Sequence, residues 1–275
     1  MNKKLIIITI FCGVLFLGLS LFFDNKKLRV DFLDVGQGDA ILLNLPQGTR
    51  ILVDGGPDNL LLNRLGEVLP WWEHKIDYVV ISHYHADHIL GLIELVNKYQ
   101  VGEVLTTAHQ PDDFLYHILI NKLKAKNIPI VFVQAGQTFD FAKNISAQVY
   151  SAESDNEDYN NNSLVLKLDY LQTSLLLTGD LTTEIEDKLV KSGLDLQADL
   201  LKVAHHGSRY SSSQAFLAKV EPKFCVISVG EDNDFQHPHP EALARLSASG
   251  CQMYLTESFG TLSWQSAGQA WNLLD

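Results

Sequence analysis

Short apolar or alternating stretches recur along most of this chain, separated by longer stretches whose apolar residues lie three or four positions apart. The short stretches predict strands and the longer ones predict helices. Because both kinds occur in each half of the chain, we expect one layered α/β domain with sheets inside and helices outside. The predicted strands are 28–35, 40–45, 50–54, 77–82, 103–107, 129–134, 145–151, 163–170, 173–178, 199–204, 224–229, 252–256 and 260–264. The predicted helices are 59–69, 88–99, 112–127, 182–192, 211–220 and 240–249.

The start of the chain follows neither pattern. Residues 5–23 are apolar and uncharged, and as a helix they would reach about 28 Å, enough to cross the hydrocarbon core of a bilayer. A buried core helix is disfavoured because the run is apolar on every face. A cleaved signal peptide remains the alternative, with Gly18 or Ser20 near its cleavage site, but the run continues to Phe23, which favours an uncleaved anchor.

We therefore expect a tail and a single transmembrane helix at 1–27, followed by one domain at 28–275, in the cell membrane. Basic residues balance on the two sides of the apolar run, so they do not fix its orientation. A short tail before one apolar run is compatible with a translocated domain, and we expect the domain to be extracytoplasmic.

Composition narrows the class of protein. The chain is 46% hydrophobic, which is enough for a full core, and its 33 acidic and 21 basic residues give a net charge of −12. This charge argues against a general nucleic-acid coat, so any nucleic-acid role must come from a local site or from metal ions. Cys12, Cys225 and Cys251 form no CxxC pair, and we expect buried thiols.

The strongest chemical signal lies directly after the predicted strand 77–82. Residues 83–88 read HYHADH, which places His83, His85, Asp87 and His88 within six positions. Four such side chains at one strand end cannot all point into a core, and imidazole with carboxylate is a common ligand set for divalent transition metals. The segment therefore predicts a metal site.

This HxHxDH pattern resembles the signature of the metallo-β-lactamase superfamily. Six further segments resemble, in order, the C-terminal hydrolase domain of DNA-internalisation competence proteins of the ComEC type. The resemblance implies a four-layer αββα sandwich over 28–275 and a site for two divalent ions, zinc or manganese, at one edge of the sheets. The segments are 34–40 (DVGQGDA), 51–56 (ILVDGG), 163–166 (SLVL), 177–180 (LTGD), 202–208 (KVAHHGS) and 237–240 (HPHP).

One ligand of the broader superfamily is missing. A third histidine usually precedes the Gly-Asp pair, but residues 160–162 are asparagines here. Our hypothesis is that the HHGS segment fills this gap, so that His83, His85 and His205 (or His206) hold one ion. Asp87, His88 and His237 would hold the other, and Asp180 would bridge both. Alternatively, His205, His206 or His239 contacts substrate or supports a ligand.

Other residues near these motifs are candidates for supporting or substrate-binding roles. Asp54 ends a predicted strand and is expected to orient a ligand histidine. Asp39 and Gln37 lie in the Gly-rich turn, and Ser208 ends the HHGS segment. The Trp71-Trp72 pair suits either packing at a core edge, which we favour, or base stacking.

Taken with the resemblance, these residues predict a membrane-anchored two-metal hydrolase, in particular a phosphodiesterase or nuclease acting on DNA. Asp87 would serve in catalysis, and His206 or His239 would protonate the leaving oxygen. The alternatives are hydrolysis of another ester (a cell-wall phosphodiester, a phosphocholine ester, a thioester or a lactone) and a non-catalytic anchored binding module. Expected partners are the membrane, DNA and a separate channel protein, because one apolar span cannot form a channel. The sequence indicates no oligomeric state.

Overall fold

The computed structural model describes residues 27–151 and 158–274, which fold into two sheets with helices on their outer faces. The strands are β1 (Leu28–Phe32), β2 (Ile41–Asn44), β3 (Arg50–Val53), β4 (Lys75–Ile81), β5 (Gln100–Thr106), β6 (Ile130–Phe132), β7 (Thr138–Ala142), β8 (Ile145–Ser151), β9 (Val165–Tyr170), β10 (Thr173–Leu177), β11 (Leu200–Lys202), β12 (Phe224–Ile227), β13 (Gln252–Leu255), β14 (Leu262–Ser266) and β15 (Trp271–Leu273). The helices are α1 (Leu60–Val68), α2 (Ala86–Lys98), α3 (Phe114–Ala125), α4 (Thr183–Lys191), α5 (Gln214–Val220), α6 (Pro240–Ser249) and α7 (Thr256–Phe259).

The strand order places the motif-bearing strands side by side. The first sheet has the order β15-β14-β1-β2-β3-β4-β5-β6, and the second has the order β13-β12-β11-β10-β9-β8-β7. Strands β3 to β6 are parallel to one another, as are β10 to β13. The carboxyl ends of parallel strands share one edge of a sheet, so each sheet brings the loops after its motif strands together.

Three apolar clusters confirm the four-layer αββα sandwich. Side chains from the inner faces of both sheets, such as Val80 and Leu175, form the central cluster. The other face of the first sheet packs on α1 to α3, where Leu92 is buried. The other face of the second sheet packs on α4 to α6, where Ile185 is buried. Successive strand residues point to opposite faces of a sheet. Because one face of each sheet packs on the other sheet and the opposite face packs on helices, apolar residues occur on both faces.

The pattern-based elements agree with most of this fold, but some features differ, among them the short helix α7, which the pattern does not predict. Strands β7 and β15 are absent from the prediction, and both are edge strands with exposed residues, so neither shows a buried apolar run. Helix α2 begins at Ala86, two residues before the predicted start, which places Asp87 in its first turn. The expectation of buried thiols is wrong for Cys225 and Cys251, because β12 and β13 pair in parallel and bring the two sulfurs into a disulfide.

The predicted anchor at 5–23 and Cys12 lie outside the described residues, which begin at Lys27, and the predicted division of the chain after residue 27 stays a prediction. Within 27–151 and 158–274, no helix has the length and apolar character needed to span a bilayer. The transmembrane segment therefore stays a prediction from sequence.

Candidate metal centre

The predicted site residues meet where both sheets end. The loop after β4 carries the HxHxDH segment, and the loop after β10 carries Asp180. The turn after β11 carries His205 and His206, both with positive φ, which turns the chain sharply at the sheet edge. Each sheet thus supplies part of one cluster.

Four of the side chains form a compact group. Asp180 Oδ2 lies 3.4 Å from His88 Nε2 and 3.2 Å from His206 Nε2. Asp87 Oδ2 lies 3.8 Å from His88 Nε2 and 3.4 Å from His206 Nε2. One ligand atom from each of the four residues lies within 4.8 Å of the others, a spacing that could hold a single ion.

The second nitrogen of each imidazole in this group is held by the protein. His88 Nδ1 lies 2.9 Å from Asp54 Oδ2, and Asp54 also accepts hydrogen bonds from the Ser82 amide and hydroxyl. His206 Nδ1 donates to the carbonyl oxygen of Ser228 at 2.8 Å. These contacts turn the Nε2 atoms toward the carboxylates, and supporting contacts of this kind orient metal ligands in proteins.

The residues fit a divalent ion because two buried imidazole nitrogens face carboxylate oxygens without forming aligned hydrogen bonds to them. The Nε2 atoms of His88 and His206 are buried and make no hydrogen bond to any residue within 27–151 and 158–274. Burial alone favours their neutral forms, but the nearby carboxylates, led by Asp180, raise the pKa of His88 well above its usual value and that of His206 to about 10. A bound cation would take over the role of these protons.

The carboxylates respond to the same contacts. Burial alone would raise the pKa of Asp180, but His206 and His88 hold it well below its usual value. Burial likewise opposes ionisation of Asp87, whose pKa His88 and His206 also lower. Both carboxyl groups are therefore ionised at neutral pH, which is the state that binds metal.

Lys202 is a site residue that the sequence analysis missed. Its ammonium group is buried, forms an ion pair with Asp39, lies 3.5 Å from Asp180 Oδ1, and donates to the Gly179 carbonyl. Asp39, Asp54 and His88 also form a group with metal-ligand spacing. Because Lys202 already neutralises Asp39, and Ser82 and His88 occupy Asp54, we assign this group a supporting role.

His83 and His85, which the sequence analysis assigns to one of the two ions, lie next to each other at the same edge, and their place as ligands stays a prediction. His83 Nε2 lies 3.0 Å from His85 Nδ1, and burial lowers the pKa of both, so both imidazoles are neutral and suited to ligation. The asparagine segment lies beside them, and Tyr159 stacks on His85. A cavity opens at this edge of the sheets, and His85 and Asn160 are among the residues that line it. The Oδ1 atom of Asn160 is buried without a hydrogen-bond partner in the described part of the chain. This oxygen is a candidate for the ligand that the missing histidine would supply.

The histidines after residue 200 differ in whether they line the cavity. His205 and His237 line the cavity with ring centroids 5.5 Å apart, and burial, followed by neighbouring imidazoles, lowers the pKa of His237 to about 4. The distances favour His206 for the place beside Asp87 and His88 that the sequence analysis gave to His237. His239 does not line the cavity, and its Nδ1 accepts a hydrogen bond from the Arg209 amide.

The remaining candidates line the cavity or support its walls. The cavity has a volume of about 370 Å³, and Gln37 lines it while accepting a hydrogen bond from the Gly230 amide. The Gly-rich turn packs on the HxHxDH turn, where the Asp39 amide donates to the Asp87 carbonyl. Ser208 is buried and accepts a hydrogen bond from the Tyr210 amide, so it shapes its own turn.

Trp71 and Trp72 are not at the candidate centre. They precede β4, whereas the HxHxDH segment follows it. The seven residues of β4 separate the two by about 20 Å. Both indole rings are exposed, so the favoured expectation of packing at a core edge is wrong.

Comparison with known proteins agrees with the fold and the motifs. The chain is 29% identical to ComE operon protein 3 of Bacillus subtilis over 92% of this chain and 35% of that protein. It is 31% identical to competence protein ComA of Neisseria gonorrhoeae over 87% of this chain and 32% of that protein. The chain thus spans about a third of the length of these relatives.

Solved structures show the same architecture. The metallo-beta-lactamase fold protein YhfI from Bacillus subtilis aligns with a TM-score of 0.59 at 15% identity, covering 87% of this chain and 99% of that one.

The model of the metallo-beta-lactamase superfamily matches residues 33–231, which include the HxHxDH segment, Asp180 and both histidines of the HHGS segment. The chain therefore belongs to the metallo-beta-lactamase superfamily.

Proposed function

We propose that this chain is a membrane-anchored, metal-dependent phosphodiesterase that cleaves DNA. The observation that carries the proposal is the convergence of Asp87, His88, Asp180 and His206 from two sheets, with two buried Nε2 atoms left unsatisfied. Similarity to competence proteins supports DNA as the substrate.

The chain's own residues would hold and position the reacting groups. A bound pair of divalent ions supplies an activated water near neutral pH and offsets negative charge on a phosphodiester. Asp87, His88, Asp180 and His206 would hold one ion, and His83, His85 and Asn160 would contribute to the other. Asp54 and the Ser228 carbonyl fix the ligand imidazoles, and Lys202 offsets the charge of Asp39 beneath the site.

The cavity also bears on how the leaving oxygen gains its proton. His206 uses Nδ1 to bind the Ser228 carbonyl and directs Nε2 to the carboxylates, which suits a ligand and not an acid. His239 lies outside the cavity. Protonation of the leaving oxygen by solvent entering the open cavity agrees best with this arrangement.

Two separate features support the location proposed for this chain, which is the outer side of the membrane. The apolar run 5–23 would anchor the chain in the membrane. Disulfides persist in oxidising compartments, so the Cys225–Cys251 bond supports a domain outside the cytoplasm. DNA would cross the membrane through a separate channel protein.

The test uses the full chain in detergent, assayed with manganese or zinc on single-stranded DNA and on bis(p-nitrophenyl) phosphate. We expect turnover of both substrates, loss with a chelator, and loss in Asp87→Ala. Asp112→Ala, which removes an exposed carboxylate that contacts the exposed His117, is the matched control and should retain activity.

Each other outcome rejects part of the proposal. Turnover of the small diester without DNA cleavage would indicate a different phosphodiester substrate. Bound metal with no turnover of either compound would favour a thioester or lactone. A chain that binds no metal would indicate a binding module.

A further inference from the structure

Two adjacent tryptophans are exposed at the end of the sandwich farthest from the candidate centre. Trp71 and Trp72 are 83% and 66% exposed, and their rings form an edge-to-face pair with centroids 5.5 Å apart. The neighbouring His74 ties this loop to the end of α2, because its carbonyl accepts from the Gln100 amide and its ring contacts Tyr99. Two adjacent exposed indoles form a contiguous apolar surface, and contiguous exposed apolar surface is a candidate interaction site.

The polypeptide enters the described domain at this same end. Strand β1 is antiparallel to β2, β2 is antiparallel to β3, and β3 is parallel to β4, so β1 and β4 begin at one edge. Three strand spacings separate them, about 14 Å. Lys27 precedes β1, and the apolar run ends at Phe23. A membrane anchor at 5–23 would therefore leave the bilayer close to the tryptophan pair.

Three exposed lysines lie at the same end of the first sheet as the tryptophans. Lys98 ends α2, and Lys124 and Lys126 lie at the end of α3, just before the parallel strands β5 and β6 begin. Lys122 fastens α3 to α2 by donating to the Ile93 carbonyl. Two carboxylates of the same loop and strand are in ion pairs, since Glu73 pairs with Arg50 and Asp77 pairs with Lys75.

One loop at the opposite end is acidic. The loop that follows β12, beside the candidate centre, carries three exposed carboxylates. Anionic lipids would attract the lysine-bearing end and repel this one. The three residues are Glu231, Asp232 and Asp234.

We propose that Trp71, Trp72, Lys98, Lys124 and Lys126 form a membrane-docking face that rests on anionic lipid headgroups and points the candidate centre away from the bilayer. Indole rings prefer the interfacial region of a bilayer, and lysines bind its anionic headgroups. The inference rests on the proposed membrane anchor. A base stacked on these tryptophans would lie about 20 Å from the HxHxDH segment, the length of β4, which favours lipid over nucleic acid as the occupant.

The four tryptophans of the chain make the proposal measurable, because Trp264 and Trp271 are buried. The full chain is reconstituted into vesicles of phosphatidylcholine and phosphatidylglycerol that contain brominated phosphatidylcholine, which quenches indole fluorescence on contact. We expect quenching in the native chain and its loss in Trp71→Phe/Trp72→Phe. Adding Tyr210→Trp to that double variant places an exposed indole beside the HHGS turn, and we expect its emission to be unquenched.

The lysines have their own variant. Replacing Lys98, Lys124 and Lys126 with Gln should reduce quenching on vesicles with phosphatidylglycerol and leave it unchanged on pure phosphatidylcholine. Equal quenching of native and triple-variant chains on both lipids would overturn the part assigned to the lysines.

Flotation with the vesicles separates the two hypotheses. Flotation without quenching of Trp71 and Trp72 would overturn the docking face and leave the anchor intact. A chain that does not float would overturn both, while its hydrolase activity in detergent would still be measured independently. Quenching by single-stranded DNA without vesicles would assign the face to nucleic acid, and equal quenching of the Tyr210→Trp indole would overturn the proposed orientation.

Discussion

At the level of single residues, Asp54 gives the clearest link between fold and chemistry. Its carboxylate is buried, and burial raises its pKa although His88 opposes the shift. It nevertheless binds the Ser82 amide, the Ser82 hydroxyl and His88 Nδ1, so one side chain fixes the strand end and the ligand imidazole together. The contact with His88 is the one that the predicted orienting role requires, and the role itself stays a prediction.

We expect Asp54→Asn to weaken metal binding by about 10- to 100-fold, the usual effect of losing a group that orients a ligand histidine. The side-chain amide introduced at position 54 has one oxygen and cannot accept from the Ser82 amide, the Ser82 hydroxyl and His88 Nδ1 together. His88 would therefore lose its fixed orientation. Competition with a chromogenic chelator measures the affinity, and Asp112→Asn is the exposed control. Unchanged affinity in Asp54→Asn would show that Asp54 serves only the fold.

Lys202 leads to a second prediction, on stability. Lys202→Met would leave Asp39 buried without its ammonium partner, so we expect the free energy of unfolding to fall by about 3–5 kcal/mol in chelator. Added zinc or manganese should make this loss of unfolding free energy smaller, because the bound ion would offset the negative charge of the neighbouring Asp180. Urea denaturation measures both. Lys191→Met, an exposed position, should change stability by less than about 0.5 kcal/mol.

Phe235 provides a test of substrate recognition. Its ring lines the cavity, is 61% exposed and stacks on His237 with centroids 5.7 Å apart. Stacking of a base on an aromatic ring contributes about 1–3 kcal/mol, so we expect Phe235→Ala to weaken binding of single-stranded DNA by roughly 5- to 150-fold. Phe259→Ala, with the same exposure but outside the cavity, is the control.

An oligonucleotide without bases at its centre distinguishes stacking from general damage to the site. Phe235→Ala should bind this oligonucleotide as well as the native chain does. An equal loss on both oligonucleotides would contradict a stacking role.

The sequence reveals the site residues unevenly, for physical reasons. The HxHxDH segment is recognisable because its ligands are adjacent along the chain. Lys202 sits inside an apolar strand, where it looks like an ordinary strand residue until the fold brings Asp39 to it. His206 and His237 cannot be ranked from spacing, because the turn after β11 decides which ring reaches Asp180.

At the level of elements, the turns between strands matter as much as the strands. The Gly-rich turn after β1 must lie directly against the HxHxDH turn, and Gly38 makes this approach possible. A Cβ atom on Gly38 would collide with the Asp87 carbonyl oxygen, while one on Gly36 in the same turn would meet nothing within 4 Å. Both have positive φ, +77° at Gly36 and +134° at Gly38, so a side chain at position 38 would meet a less accessible backbone conformation in addition to the collision.

We therefore expect Gly38→Ala to lower both metal affinity and stability, since the Asp87 turn must move. Gly36→Ala should cost only the backbone strain, about 1 kcal/mol, and leave metal affinity within twofold. Isothermal titration with zinc and urea denaturation measure the two quantities. Equal metal affinity in both variants would show that the contact between the turns does not position Asp87.

Pattern analysis also reaches its limit at the elements. It predicts the motif strands well, because β4, β10 and β12 are apolar runs next to turn residues. It misses β7 and β15 because an edge strand needs no apolar run. The disulfide was missed because residues 225 and 251 are far apart in sequence, and only the β12–β13 pairing shows that they are neighbours.

For the whole molecule, the candidate centre is a link between its two halves. Asp87 and His88 follow a strand of the first sheet, and Asp180 and His206 follow strands of the second. In the metal-free protein these groups are held by contacts between ionised carboxylates and imidazoles. A divalent ion bound by all four would tie the sheets together, and it would bind the folded chain and not the unfolded one.

The last prediction follows from this linkage. At an ion concentration 100 times the dissociation constant, binding should raise the free energy of unfolding by about 2.7 kcal/mol, and a chelator should remove that increment. Thermal unfolding of the native chain with metal or chelator measures the shift, and His206→Ala should abolish it while Asp112→Ala retains it. Because the link joins the sheets, hydrogen exchange should slow on both sides, in the loop after β4 and in the loops after β10 and β11. Protection confined to the loop after β4 would mean that the ion binds to residues of the first sheet alone. It would contradict the proposal that Asp180 and His206 of the second sheet share the ion.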